Sequence, residues 1–193
     1  MNIPKSPLYR DPLHEQLDLD SDKVIDAAVF KKPDGGWYMW YKNEMADSHT
    51  FFAESRDLYQ WEVIGEAISD CPHEGPNVFE FCGMYWMITD EWHGMGVYSS
   101  HDLKNWVKQD KTILGNPGKR PFDGAVGNHA DVLVCDGKAY IVYFCHPDRK
   151  EQDCVCQKEF HTAIQVAELT VKDGLLYCDR DQEFDFMLKE QGT

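Results

Sequence analysis

The segment IDAAVFKKPDGGWYMWYKN, residues 25–43, decides the fold. It contains an apolar run, a DGG turn and an aromatic second run. Two such runs joined by a short glycine-bearing turn are typical of a β-hairpin. The following segment, HTFFAESRDLYQWEVIG from His49, adds a third strand, and a fourth begins at Trp61. These residues therefore predict four consecutive antiparallel strands.

The same pattern recurs twice further along the chain. EGPNVFEFCGMYWMITDEW begins at Glu74 and NHADVLVCDGKAYIVYFCH begins at Asn128. The hairpin glycines Gly36, Gly83 and Gly137 lie 47 and 54 residues apart. Repeats of about 40–50 residues with four strands each are typical of β-propeller blades.

The prediction is an all-β fold, a β-propeller of four-stranded blades with about three blades in this chain. We expect residues 1–22 to form an N-terminal arm, residues 23–180 the blades, and residues 181–193 a C-terminal tail. The only candidate helix is a short stretch near residues 181–190. Propeller rings have about four to eight blades, so three blades need something else to complete them.

A Ser-x-Asp-Leu-x-x-Trp motif occurs in the first two repeats, at residues 55–61 and 100–106. The short Asp side chain can cap a tight turn between the third and fourth strands. Leu and Trp can fill the gap between neighbouring blades. The motif is therefore interpreted as structural.

Composition narrows the function. The formal net charge of −15 would repel phosphate backbones and anionic membrane surfaces, which argues against nucleic-acid and membrane partners. Aromatic residues make up 13% of the chain and suit a strand core or a surface that stacks on sugar rings. No signal-peptide run is visible, so a cytoplasmic location is expected. The seven cysteines have no regular spacing and are interpreted as reduced thiols, although Cys154 and Cys156 form a weak metal-binding pattern.

A polar residue stands at the start of each blade's first strand. These residues are Asp26, Glu74 and His129, which we expect to occupy equivalent positions in the repeats. Each one alone is readily explained as a turn carboxylate or a hydrogen-bonded histidine. In a propeller, however, equivalent strand starts meet on the axis, and we therefore expect the three side chains to share one site.

These motifs, with the EGP corner at Glu74 as the most specific piece, resemble glycoside hydrolase family 43 and the five-bladed propeller families 32, 62 and 117. The resemblance covers about residues 24–179 and only the C-terminal three blades of such an enzyme. It implies that Glu74 is the general acid and that Asp26 orients it and raises its pKa. It also implies that His129 lies beside a central calcium ion or a water, with no other cofactor required.

The catalytic base of an inverting glycosidase is harder to find. In the family it is an aspartate of the first blade, a part that this resemblance does not reach. Asp11, in the sequence Arg-Asp-Pro, is a candidate for the base or a residue of a flexible arm. We therefore expect the base to be missing or supplied in trans.

Four further residues are candidates for contact with substrate. Trp92 and His93 follow the second strand of the Glu74 blade, and His146 takes the corresponding place in the third blade. Asp123 lies in a loop before the third blade and could face the channel. Packing within the core is the alternative for the aromatic residues.

Two functions remain open from the sequence. One is inverting hydrolysis of glycosidic bonds, and the other is a non-catalytic carbohydrate-binding or remnant propeller. Because an open arc exposes apolar sheet faces, we expect a homo-oligomer, most simply a dimer, or a partner chain that carries the missing blades.

Overall fold

The computed structural model describes residues 23–149 and 161–186, and these residues are all-β. They form three four-stranded antiparallel sheets, each strand pairing with the next along the chain. The predicted fold class of three propeller blades is confirmed. No helix in the described part of the chain is long and apolar enough to cross a membrane.

Blade 1 contains β1 (Val24–Lys31), β2 (Trp37–Asn43), β3 (His49–Ser55) and β4 (Trp61–Ile68). Blade 2 contains β5 (Glu74–Phe81), β6 (Met84–Asp90), β7 (Met95–Ser100) and β8 (Val107–Lys108). Blade 3 contains β9 (Asn128–Cys135), β10 (Lys138–Cys145), β11 (Ala163–Lys172) and β12 (Leu175–Cys178).

The predicted hairpins are present, and their turns have the backbone that the sequence suggests. Cys82 and Gly83 have φ of 53° and 74°, and Asp136 and Gly137 have φ of 51° and 75°. Two successive residues with positive φ match the twist of the flanking strands, and glycine adopts this conformation without a steric penalty.

Each first strand is interrupted by a β-bulge near its start. The register shifts between Ile25 and Ala28 in β1 and between Glu74 and Asn77 in β5. A third shift lies between Asn128 and Asp131 in β9, which pair with Phe144 and Val142 of β10. The same irregularity therefore recurs once per blade, at the same edge of the arc.

Two apolar clusters hold the blades together. One fills the space between blades 1 and 2 and includes Trp40, Met87 and Tyr98. The other fills the space between blades 2 and 3 and includes Trp86 and Ile141. Strand β5 contacts both β1 and β9, so blade 2 is the centre of the arc.

The two Ser-x-Asp-Leu-x-x-Trp turns have the same geometry. Oδ1 of Asp57 accepts the backbone N–H of Gln60 at 2.8 Å, and Oδ1 of Asp102 accepts that of Asn105 at 2.8 Å. Leu103 is 1% exposed and belongs to the cluster between blades 1 and 2, as predicted. Leu58, its counterpart, is 43% exposed because no described residue supplies a neighbouring blade on that side.

The C-terminal residues correct one expectation. Residues 181–186 form a turn followed by chain without regular secondary structure and not the start of a helix, and residues 187–190 lie outside the described part. Phe184 and Phe186 pack on the ring of Tyr140, with centroid distances of 6.0 and 5.1 Å. These ring contacts hold residues 184–186 against blade 3. The five described cysteines are free thiols, and Cys154 and Cys156 lie outside the described residues.

The matched leucines give a test of packing between blades. We expect Leu103→Ala to lower the free energy of unfolding by about 2–5 kcal/mol, because it removes a buried side chain and leaves a cavity. Leu58 lies in a turn of the same geometry but is exposed, so Leu58→Ala should change the free energy of unfolding by less than about 0.5 kcal/mol. Urea unfolding of both variants measures this difference, and an equal loss in both would show that Leu58 is covered in solution.

Candidate functional site

The three predicted side chains meet at the inner edge of the arc. Nδ1 of His129 lies 3.8 Å from Oε1 of Glu74, and Nε2 of His129 lies 4.0 Å from Oδ1 of Asp26. Oδ2 of Asp26 accepts the backbone N–H of Gly75 at 3.3 Å. The structure therefore brings Asp26, Glu74 and His129 together, although the roles assigned to them stay predictions.

Their equivalence in the repeat is wrong by one residue. Strand pairing aligns Glu74 with Ile25 and Asn128, since these residues stand opposite Asp90, Lys42 and Phe144 at the ends of the second strands. The residues at the bulge are instead Asp26, Gly75 and His129, with φ of 58°, 56° and 33°. The bulge turns the chain locally, which lets side chains from both positions reach the axis.

Gly75 is the residue of the EGP corner that allows this close approach. A Cβ atom added there would lie 2.8 Å from Nε2 of His129. Only glycine leaves room for the imidazole to lie against the backbone of β5. The corner thus places His129 of blade 3 directly beside Glu74 of blade 2.

His73 anchors the corner from below. It is buried, and Nδ1 lies 2.8 Å from the carbonyl oxygen of Cys71 while Nε2 lies 2.6 Å from Oγ1 of Thr50. A carbonyl only accepts, so Nδ1 donates and Nε2 accepts from the Thr50 hydroxyl. Burial lowers the pKa of His73 despite the Cys71 hydrogen bond, so this imidazole is neutral at pH 7.

Two side chains bind Glu74 directly. The sequence did not indicate Lys42, and it indicated Trp92 only as a contact with substrate. Nζ of Lys42 lies 3.0 Å from Oε2 of Glu74, and the Lys42 side chain is buried. Nε1 of Trp92 donates to Oε1 of Glu74 at 3.1 Å. Each carboxylate oxygen of Glu74 therefore has its own donor.

These contacts set the charge of Glu74. Burial raises its pKa, but the hydrogen bond and charge of Lys42, the Trp92 indole and the charge of His129 lower it more, and the net pKa lies below the ordinary value. Lys42 shows the matching effect, since burial lowers its pKa while Glu74 and Glu44 raise it above normal. The expectation of a raised pKa at Glu74 is corrected here, because the adjacent charge is an ammonium group.

Asp90 is a second carboxylate at the site that the sequence analysis did not single out. It is buried, and burial raises its pKa. Hydrogen bonds from the amides of Trp92 and His129 lower this pKa, and the charge of Glu74 raises it. The net pKa lies above the ordinary value. Asp90 is the last residue of β6 and stands opposite Glu74. In the sequence it is only a polar residue that ends an apolar run, and nothing there indicates that it faces Glu74.

A calcium ion near His129 finds a poor donor set in this arrangement. Glu74, Asp90 and His129 offer ligand atoms within 4.8 Å of one another. Calcium requires about six to eight oxygen ligands. Here both carboxylate oxygens of Glu74 are already bound, one by the Lys42 ammonium and one by the Trp92 indole. These residues do not fit calcium as they stand.

Trp92 is the most exposed aromatic side chain at the site. It is 50% exposed with φ of 62°, and Nζ of Lys42 lies 5.8 Å from its ring centroid. A half-exposed indole leaves part of its ring accessible for stacking on a flat ligand. The contact of Trp92 with substrate stays a prediction.

The remaining predicted contacts lie elsewhere. His93 is exposed and its Nε2 lies 3.6 Å from Oε2 of Glu91. His146 packs on the ring of Phe144, and its Nδ1 lies 3.2 Å from Oγ1 of Thr162. The structure does not join either imidazole to Glu74, and their proposed sugar contacts stay predictions.

Asp123 departs from expectation. It is fully buried, and its carboxylate is bound by the Arg180 guanidinium and by the Tyr143 hydroxyl at 3.0 Å. Arg180 also donates to the backbone oxygens of Asn116 and Ala125. The residue that was expected to face the channel instead ties the loop before blade 3 to the end of that blade. Asp11 lies outside the described residues.

Solved structures provide the comparison. A thermostable family-43 glycoside hydrolase superposes with a TM-score of 0.60 at 21% identity, over 86% of this chain and 62% of its own. An endo-1,4-beta-xylanase from Bacteroides thetaiotaomicron superposes with a TM-score of 0.61 at 18% identity, over 82% of this chain and 59% of its own. An alpha-L-arabinofuranosidase from Lactobacillus brevis gives 0.57 at 20%, over 89% and 59%.

No protein-family model matches the sequence, and no curated protein matches it significantly.

The pair of Lys42 and Glu74 gives a direct test of the site's electrostatics. We expect the Glu74 carboxyl to titrate below its ordinary value of 4.5 in the wild type and at a higher pH in Lys42→Met, which removes both a hydrogen bond and a charge. Carbon-detected NMR titration of labelled glutamate, with Glu74→Gln for assignment, measures it.

Lys32→Met is the matched control, because Lys32 pairs with Glu54 at 3.2 Å in the same blade and away from the site. It should leave the Glu74 titration unchanged. An unaltered Glu74 pKa in Lys42→Met would show that the two groups do not pair in solution.

At 14–21% identity the solved glycoside hydrolases that this chain matches establish shared architecture, and the chain spans about three fifths of the length of the first two. This protein therefore has the fold of part of the β-propeller of family-43 glycoside hydrolases.

Proposed function

We propose that the site formed by Asp26, Glu74 and His129, here called the axial site, binds a carbohydrate. The chain is then a glycoside hydrolase that cleaves glycosidic bonds by inverting hydrolysis. The observation that carries this proposal is the convergence of Asp26, Glu74 and His129 beside a half-exposed Trp92, on a family-43-type fold. A carboxyl group can protonate a glycosidic oxygen, and a half-exposed indole beside it can stack on a sugar ring.

In this mechanism Glu74 protonates the departing glycosidic oxygen. An inverting enzyme also needs a carboxylate about 6.5–9.5 Å away that activates water on the opposite face of the sugar. Asp26 and Asp90 are both engaged by backbone N–H groups beside Glu74. The base is therefore proposed to come from another chain or from a segment outside the described residues.

Proton donation also requires the Lys42 contact to change. While Lys42 holds Glu74, the carboxylate form is favoured. A sugar hydroxyl that takes over the Lys42 ammonium would remove this hydrogen bond and raise the pKa of Glu74. Substrate binding would then prepare the acid.

The same Lys42 contact favours the second candidate, a non-catalytic carbohydrate-binding site. A permanently charged Glu74 accepts hydrogen bonds from sugar hydroxyls without donating a proton. Lys42 and Trp92 would supply a donor and a stacking surface. Turnover separates the two candidates, since both require binding.

Exposed apolar side chains support a further part of the proposal, that a second copy or a partner chain covers the open ends of the arc. Leu58 is unpaired with any neighbouring blade among the described residues, and Ile164 on blade 3 is 75% exposed. We propose a dimer or larger assembly at micromolar concentration. Light scattering that gives the monomer mass would contradict it.

Glycoside turnover tests the role of Glu74. We expect Glu74→Gln to lower the rate by about 100-fold or more with substrates that have poor leaving groups, since general acid catalysis contributes about that much. Dinitrophenolate departs without protonation, so the rate with dinitrophenyl glycosides should fall far less. A panel of aryl pentosides and hexosides, assayed with both kinds of leaving group, measures the ratio.

Glu80→Gln is the matched control, since Glu80 lies on the same strand but is exposed at the other end. Its turnover should equal that of the wild type. An unchanged rate in Glu74→Gln would remove Glu74 from the mechanism. Binding without any turnover in the wild type would favour the second candidate, and Trp92→Ala should then weaken the binding.

The calcium expectation has its own test. Because both oxygens of Glu74 are bound by Lys42 and Trp92, we expect calcium and chelators to leave the melting temperature unchanged. Thermal unfolding with millimolar calcium and with EDTA measures this. A rise of several degrees with calcium would show that these side chains rearrange around an ion.

A further inference from the structure

Asp90 is a buried residue of the site, 1% exposed. A carboxylate oxygen of Asp90 lies within 4.8 Å of ligand atoms of Glu74 and His129. Oδ1 accepts the backbone N–H of Trp92 at 2.7 Å, and Oδ2 accepts the backbone N–H of His129 at 2.7 Å. The second bond crosses from blade 2 to blade 3.

The two residues that Asp90 holds are the ones that reach Glu74 from either side. Trp92 donates its indole N–H to Oε1 of Glu74 at 3.1 Å, and Nδ1 of His129 lies 3.8 Å from the same oxygen. One buried carboxylate thus fixes the backbone of both neighbours of that oxygen.

Both residues also have backbone conformations that are unfavourable for residues other than glycine. Trp92 has φ of 62° and His129 has φ of 33°, where side chains larger than glycine are strained. Charge-assisted hydrogen bonds to a carboxylate are about twice as strong as those between neutral groups. The bonds to Asp90 offset the strain at the two positions where the side-chain direction matters.

We propose that Asp90 is a positioning residue of the axial site, whose buried carboxylate holds Trp92 and His129 in the conformations that direct their side chains at Glu74. This role rests on the proposed function only for its consequence in catalysis or binding. The positioning itself is a property of the folded chain and is measured without substrate.

The indole N–H of Trp92 is the reporter. Its proton and nitrogen resonances, assigned with Trp92→Phe, should move in Glu74→Ala because the hydrogen bond to Glu74 is lost. We expect Asp90→Asn to shift the Trp92 indole signal in the same direction, since one amide loses its acceptor and the Trp92 backbone relaxes.

Asp102→Asn is the matched control. Asp102 is also a carboxylate of blade 2 that accepts two backbone N–H groups, from Lys104 at 3.0 Å and Asn105 at 2.8 Å, but in an outer turn. It should leave the Trp92 indole signal in place. A folded Asp90→Asn protein whose Trp92 indole signal is also unmoved would overturn the proposal.

Hydrogen exchange of the wild type guards against a variant that does not fold. The amides of Trp92 and His129 should exchange slowly, because both are donated to a buried carboxylate. Fast exchange of either amide in the folded wild type would overturn the proposal.

Sugar titrations of Asp90→Asn separate this proposal from the proposed function. If the wild type binds sugar, Asp90→Asn should weaken binding about as much as Trp92→Ala. If the indole signal moves in Asp90→Asn but the wild type neither binds nor cleaves any sugar, the positioning role stands and the proposed function fails.

Discussion

Blade 2 is packed on both of its faces, and the arc depends on this contact. Met87 points toward blade 1 and Trp86 toward blade 3, because successive residues of a strand face opposite sides. β6 is therefore apolar on both of its faces and serves two interfaces at once. The axial site follows from it, since Asp26, Glu74 and His129 belong to three different blades and meet only when the blades are held side by side.

The bulge at the start of each first strand converts this stacking into a site. A regular strand would send neighbouring residues to opposite faces, and Glu74 and the bulge position could not both point inward. The extra residue lets Asp26 and His129 approach Glu74 although strand pairing places them one position apart. Positive φ at these positions is the local cost of bringing polar groups together, and the Asp90 hydrogen bond offsets it at His129.

The repeat, the hairpins and the capped turns could be predicted from the sequence because each depends on neighbours within a few residues. The meeting of Asp26, Glu74 and His129 was also predictable, since it follows from the repeat. Lys42 and Asp90 were not, because their importance depends on which residue stands opposite which across a bulged strand pair. Asp123 was misplaced for a similar reason: its partner Arg180 is 57 residues away, and the loop sequence carries no sign of it. The sign of the Glu74 pKa shift depended on Lys42 and was therefore missed as well.

The exposed Leu58 has a consequence for how such chains can grow. Its turn has the same Ser and Asp hydrogen bonds as that of Leu103, yet among the described residues only Leu103 packs against a neighbouring blade. Blade 1 thus presents a finished attachment surface without needing an occupant to fold its own turn. A further blade, whether fused ahead of β1 or brought by another polypeptide, could dock there without remodelling the residues already in place. In this sense the arc is a modular unit that can be extended from one end while the site at its centre is left untouched.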